Sequence, residues 1–190
     1  MTPEFGKLLE MQIPRLRRYA RALTRDTVRA DDLVQDCLVR AVAKSHLWQP
    51  GTDLRAWLFT ILHNTHVNTV RKAVREGVNI DVDEVASVLT AKAAQSSRLQ
   101  LRDLDRAMAK LPEEQRQVVL LISLEGMSYE QAADVLSVPV GTVRSRLSRA
   151  REALRRTMGL RDGEAILAGE MSAAGVVATS RIPAAGIEAA

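Results

Sequence analysis

The sequence offers few groups suited to covalent or metal chemistry and many suited to gripping an anion. His63 and His66 stand three apart, a spacing that puts both imidazoles on one helix face. With no carboxylate or thiol nearby in sequence they make a weak metal site, and ordinary or DNA-facing histidines are expected. Cys37 is the only cysteine, so it can form neither an intrachain disulfide nor a Cys-rich zinc site. It falls in the apolar stripe Leu33, Val34, Cys37, Leu38, Ala41 and Val42, which predicts a buried structural thiol. There is no Walker-type phosphate loop and no G-x-S-x-G elbow. The residues therefore predict no catalytic centre, no metal and no cofactor.

The chemistry that remains is electrostatic. There are 27 Lys+Arg against 23 Asp+Glu in 190 residues, a net charge of +4. The isoelectric point of 9.6 makes an anionic partner worth testing. The distribution says more than the total. Arg15, Arg17, Arg18, Arg21 and Arg25 form a basic block with no acid among them, and Asp26, Asp31, Asp32 and Asp36 reverse the sign. Arg55, Arg71, Lys72 and Arg75 make a second basic block, followed by Asp81, Asp83 and Glu84. The last block, residues 144–156, holds Arg144, Arg146, Arg149, Arg151, Arg155 and Arg156 against Glu152. Any one run could be a solvated helix face. The alternation suggests two basic surfaces, an acidic patch and an acidic connector.

The final basic block has the design of a DNA-reading helix. Val143, Leu147, Ala150 and Leu154 fall on one narrow face, set to pack against Ala132, Ala133 and Leu136. The opposite face shows Gly141, Ser145 and Ser148 flanked by Arg144 and Arg149. Small residues at the centre let a helix sit deep in a major groove, and flanking arginines reach bases or phosphates. A bundle helix with a basic solvent face is the competing reading.

These residues must be positioned by helices, since strand signals are almost absent. Phe5, Leu8, Leu9, Leu16 and Leu23 mark a first helical region, with Pro14 as a kink or restart. Asp31 is the expected cap of the next helix. Residues 49–53 read as a turn, followed by a long helix through Trp57, Leu58, Ile61, Leu62, Val70 and Val74. Residues 77–97 read as a linker. Leu99, Leu104, Met108 and Leu111 fit another helix, Pro112 opens the next, and that one stops near Gly126. Ser128-Tyr129-Glu130-Gln131 is a capping-box pattern for a helix reaching Leu136. A short turn at Ser137-Val138 follows, and Pro139 opens the reading helix. The Ala/Gly-rich stretch 159–190 predicts a disordered tail.

Five motifs in order then carry a family resemblance. They are Asp31-Asp32-Leu33-Val34-Gln35-Asp36, Leu54-Arg55-Ala56-Trp57-Leu58-Phe59-Thr60-Ile61, Leu111-Pro112-Glu113-Glu114-Gln115-Arg116, Ser128-Tyr129-Glu130-Gln131-Ala132-Ala133 and Val140-Gly141-Thr142-Val143-Arg144-Ser145-Arg146-Leu147. Over about residues 5–157 the chain resembles a bacterial extracytoplasmic-function (ECF) sigma factor. The string from His46 through Asn64 is most similar to the alphaproteobacterial general-stress branch.

The resemblance implies an all-α protein of two small helical domains joined by a flexible linker. Residues 1–76 would be sigma region 2, residues 98–158 the sigma region 4 helix-turn-helix. Asp31, Asp32, Leu33, Gln35 and Asp36 would dock on the clamp-helix coiled coil of core RNA polymerase. The loop His46–Asp53, with His46, Trp48 and Asn64, would capture a flipped base of the minus-10 promoter element. Arg71, Lys72 and Arg75 would follow its backbone. Trp48 is either a stacking group or a core residue closing the loop, and Trp57 reads as core. Thr142, Arg144, Ser145, Ser148 and Arg149 would read the minus-35 element. The acidic linker would run toward the RNA exit channel. Ser137 stands where glycine is common in the turn. The implied partners are core polymerase, promoter DNA and an anti-sigma factor.

Several classes are poor readings of this chain. The longest apolar runs fall far short of the roughly 20 residues that span a bilayer, so no membrane insertion is expected. No secretory signal pattern follows Met1, and a reduced cytoplasmic setting is expected. Two alternatives stay open: a stand-alone helix-turn-helix regulator, and a sigma-like decoy for an anti-sigma protein. The first leaves the Asp31–Asp36 and Trp48–Asn64 features unexplained. Decoys of the second kind carry a receiver domain that this length would not hold.

Overall fold

The computed structural model describes residues 3–76 and 95–160. The order is α1 (Pro3–Thr24), α2 (Thr27–Ala43), a short 3-10 turn (Ser45–Leu47), α3 (Leu54–Arg75), α4 (Gln95–Ala109), α5 (Glu113–Val119), α6 (Tyr129–Leu136) and α7 (Val140–Met158). A π-helical turn, Leu120–Leu124, extends α5. No strand occurs among the described residues. Most of the expected linker, and the expected tail from residue 161, lie outside them.

In the first half α1, α2 and α3 pack on one another. Leu16, Tyr19, Leu58, Phe59 and Leu62 are fully buried, and the Tyr19 and Phe59 rings meet edge-on at 5.1 Å. Each such side chain contributes about 1.5–3 kcal/mol by leaving water. Cys37 is buried as expected, its Sγ 3.5 Å from the Leu58 carbonyl. Burial pushes the thiol up to about 12.

Two local expectations are corrected. Pro14 does not restart the helix, because α1 runs through it as one element. The proline is exposed, so the carbonyl it strands faces water. The cap of α2 is Asp26, whose carboxylate accepts from the Val28 and Arg29 amides at 2.8 and 3.0 Å. Asp31 lies one turn inside the helix and faces Arg17 and Arg21 of α1 at 3.5 and 3.7 Å.

In the second half α7 is the central element, contacting α4, α5 and α6. Val143, Leu147, Ala150 and Leu154 form its buried face, as the periodicity predicts. The Leu111–Arg116 motif ties this half together. The buried Arg116 donates to the Met108, Ala109 and Leu111 carbonyls at 3.1, 3.3 and 3.0 Å, satisfying the open end of α4. Its third nitrogen, Nη1, donates to the Leu23 carbonyl of α1 at 3.3 Å.

That bond is one of several joining the halves, since α3 packs on α6, and α1 on α5 and the π-turn. The Glu125 carboxylate has no solvent exposure and receives Arg18 at 2.7 Å. Arg55 donates to the Glu125 carbonyl at 3.0 Å. Gln131 donates to Asp53 at 2.8 Å, and His66 meets Glu113 at 2.8 Å. Arg25 faces Asp105 at 3.5 Å. Four arginines of the first basic block thus answer acids of the same chain.

Candidate nucleic-acid interface

The helix-turn-helix is built by its caps. Ser128 Oγ accepts from the Gln131 amide at 3.1 Å, and Gln131 Oε1 accepts from the Ser128 amide at 3.0 Å, completing the expected capping box. The helix ends with Ser137 at φ 54° and ψ 45°, in the left-handed region. Val138 donates back to the Ala133 carbonyl at 3.1 Å, a Schellman closure. Pro139 then precedes α7 with extended backbone. This turn fixes the angle between α6 and the reading helix.

Gly141, Arg144, Ser145, Ser148 and Arg149 are exposed together on α7. A side chain at Gly141 would meet nothing within 4 Å. The Arg144 guanidinium lies 5.6 Å from the Tyr129 ring centre, a cation–π geometry that restrains it beside the face. Ser145 Oγ donates to the Thr142 carbonyl at 3.0 Å. Thr142 is only half-exposed. Arg146 points the other way, 2.6 Å from Glu114 with 21% of its side chain exposed, so it is structural. The face thus has small residues in the middle and a guanidinium on each side, as direct readout requires.

In the first half Asp53 caps α3 through the Ala56 amide at 3.1 Å. Along α3, Asn64, Asn68, Arg71, Lys72 and Arg75 are all exposed, and helical spacing puts them on one stripe. Amides and cations exposed in a row suit bases and phosphates. Asn68 joins the stripe by its register, four after Asn64 and three before Arg71, a signal present in the sequence. His46 is exposed on the 3-10 turn. Trp48 leans on Phe5 with ring centres 5.4 Å apart, and Trp57 meets Phe5 at 6.4 Å. Trp48 is half-buried and packs against the edge of the core.

On α2, Asp32, Gln35 and Asp36 are exposed, while Asp31 is half-buried in its arginine pairs. Leu33 is buried, which removes its side chain from any docking surface. Sequence reasoning missed Val28 and Val39, each 69% exposed, which flank Asp32 and Gln35 on the same face. An acidic stripe with apolar ends suits a basic, partly apolar helical partner.

His63 and His66 share a face, but His63 is buried while His66 binds Glu113. Burial, with His66 nearby, holds His63 below the usual imidazole value. The hydrogen bond from His66 holds Glu113 below the usual carboxylate range. No cluster of three or more His, Cys, Asp or Glu groups able to hold a metal occurs among the described residues. None of their helices is long and apolar enough to cross a membrane.

Comparisons with known proteins fall on these same two halves. Residues 9–63 match the family described as the Sigma2 domain of PhyR, and residues 101–154 match Sigma-70, region 4. The chain is 42% identical over 142 residues to the ECF RNA polymerase sigma factor EcfG of Rhodopseudomonas palustris, covering 75% of this chain and 78% of that protein. The sigma factor RpoE of Bartonella quintana, solved in complex with the anti-sigma factor NepR, superposes with a TM-score of 0.70 at 38% identity over 83% of this chain and 98% of that one. The PhyRSL–NepR complex from Sphingomonas sp. Fr1 gives a TM-score of 0.60 at 25% identity, over 85% and 92%.

Proposed function

The chain belongs to the ECF sigma-factor family, and from that premise we propose that it directs core RNA polymerase to stress-response promoters under the control of an anti-sigma factor. The observation that carries the reading is one chain bearing three separate exposed surfaces. These are the acidic face of α2, the Asn/Arg/Lys stripe of α3 and the Arg/Ser face of α7. A stand-alone regulator would use only the last.

The division of labour follows from the chemistry. Asp32, Gln35 and Asp36, with Val28 and Val39, dock on polymerase. Asn64 reads an extruded base of the minus-10 strand, while Arg71, Lys72 and Arg75 hold its phosphates. Extrusion costs a few kcal/mol, which the pocket must offset by edge hydrogen bonds and packing. His46 and Trp48 shape the loop that borders this site. On α7, Arg144, Ser145, Ser148 and Arg149 read the minus-35 duplex, with Thr142 at its edge. The polymerase carries out the polymerisation chemistry; this chain supplies recognition and strand capture and works in the cytoplasm. Residues 1–76 and 98–158 form the two functional domains, the second extended at its start by the first turn of α4.

The NepR complex of the Bartonella quintana relative supports control by an anti-sigma protein. The match of residues 9–63 to the PhyR family favours one second reading, a decoy that sequesters such a protein. Gel filtration of the full chain with core polymerase tests the choice. Co-elution supports the sigma reading. Failure to associate with core, together with tight anti-sigma binding, supports the decoy.

A further inference from the structure

The reading face of α7 carries two guanidiniums, and the fold treats them differently. The Arg149 side chain is exposed and makes no ion pair or hydrogen bond among the described residues. Arg144 is exposed as well, and it too has no ion pair among them. Its guanidinium instead lies 5.6 Å from the centre of the Tyr129 ring. Tyr129 is the first residue of α6, so this contact spans the two helices of the helix-turn-helix. We infer that Tyr129 is a positioning residue for promoter recognition. Its ring holds Arg144 aligned with a base edge, and so sets the specificity of the minus-35 contact made by Arg144 but not of the one made by Arg149. The inference rests on the sigma-factor reading for the identity of the DNA element and on geometry for the pair.

Both partners of the pair are placed by the fold. Ser128 and Gln131 close the capping box on either side of Tyr129 and fix its backbone. The ring is half-buried and packs against the core. Its hydroxyl has no hydrogen-bond partner among the described residues, so the ring is the part that the fold uses. Arg144 directly follows Val143, a buried residue of α7, and stands where the packed face gives way to the reading face. It lies in the first half of α7, the part of a recognition helix that meets base edges. A free arginine side chain has many rotamers, and freezing them on binding lowers affinity. A bidentate bond to a guanine edge needs the planar fork in one orientation. The aromatic ring removes part of that cost before DNA arrives. It also consumes no N–H donor, whereas an ion pair would occupy the groups that must face the base. The neighbouring Glu130 is exposed and forms no ion pair with Arg144. Its carboxyl is held below the usual range first by its own amide and the Ser128 hydroxyl, with the Arg144 charge adding to this.

The test compares Tyr129→Phe, Tyr129→Leu and Glu130→Gln in holoenzyme assembled from core polymerase and the full chain. Affinity is read by mobility shift on a promoter duplex, and on the same duplex with each minus-35 base pair changed in turn. The base pair that Arg144→Ala no longer discriminates marks the one that Arg144 reads. Tyr129→Leu should lose about two- to fivefold on the cognate duplex, the equivalent of one exposed cation–π contact. That loss should fall on discrimination at the Arg144 base pair alone. Tyr129→Phe should match the parent. In an Arg144→Ala background Tyr129→Leu should cost nothing further, an outcome that a merely structural role would not give. In the free chain, nitrogen relaxation of Arg144 Nε by NMR should show an ordered side chain in the parent and in Tyr129→Phe, and a mobile one in Tyr129→Leu. A Tyr129→Phe protein as weak as Tyr129→Leu overturns the inference, because the hydroxyl would then be the group that acts. So does an undiminished loss in the Arg144→Ala background, or an equal loss at every base pair. Glu130→Gln should keep discrimination at the Arg144 base pair; if it erases it, the acid holds Arg144 and the inference fails. A parent holoenzyme indifferent to every minus-35 base pair, with Arg144 still ordered by Tyr129 in the free chain, would instead refute the sigma-factor reading.

Discussion

Replacing Ser137 by glycine should stabilise the protein, because this serine holds a conformation that suits glycine. Its φ of 54° and ψ of 45° close the turn between α6 and α7. A Cβ in the left-handed region crowds the following carbonyl and costs about 1–2 kcal/mol. The Ser137 side chain is exposed, so deleting it removes no packing. Glycine gives back roughly 0.4–1 kcal/mol through the greater freedom of its unfolded chain. The net gain is about 0.5–1 kcal/mol, or about 1–4 °C in Tm for a chain of this size. Thermal unfolding followed by circular dichroism reads it directly. Ser137→Ala is the control, since it keeps the Cβ and should leave Tm nearly unchanged. A Ser137→Gly protein that melts lower, or an alanine variant that matches the glycine one, would refute the strain argument.

Three further outcomes are expected. Asp32→Arg should weaken core polymerase binding in a pull-down without shifting Tm, because the side chain is exposed and makes no ion pair among the described residues; unchanged binding would move the docking surface elsewhere. Arg149→Ala should cost about 1–3 kcal/mol at the cognate minus-35 sequence and little at a scrambled one, as measured by electrophoretic mobility shift. An equal loss on both would make Arg149 a phosphate contact. Stability should fall as pH drops from about 7.5 to 5. His63 is held below its usual value with His66, Glu113 and Arg146 around it, so its neutral form favours the fold above pH 6.5. That contribution is lost progressively as the unfolded chain takes up the proton below that point. Glu113, also held low, adds a loss in the same direction at still lower pH. His63→Asn should flatten the slope between pH 7.5 and 5 in denaturant unfolding, whereas an unchanged slope would assign it to other groups.

What was legible in the sequence is whatever repeats at short range. The capping box at Ser128, the buried face of α7 and the buried Cys37 follow from spacings of three and four residues. The α2 start was misplaced because Asp31 precedes the apolar run as a cap would. Asp26 wins because it is followed by a helical turn already packed on α1, and Asp31 then serves the arginines opposite. The partners of the first basic block were only partly legible, since Asp31 is near in sequence while Glu125 of the Arg18 pair lies 107 residues distant. The π-turn at Leu120–Leu124 left no mark in the apolar pattern. The exposure of the candidate residues was more legible than their setting. Arg144, Ser145, Ser148, Arg149, Asn64, Arg71, Lys72 and Arg75 are all exposed, whereas Leu33 is buried and Trp48 half-buried against Phe5.

The central claim is that one chain recognises two promoter elements and delivers polymerase to them. The most direct measurement is run-off transcription in vitro, with core polymerase and the purified full-length chain, on a promoter recovered from a genomic library. Transcripts should depend on the added chain and should fall when either element is scrambled. They should also fall separately with Asn64→Ala on the intact minus-10 element and with Arg149→Ala on the intact minus-35 element. A chain that binds core polymerase but yields no promoter-dependent transcript across the library would contradict the account.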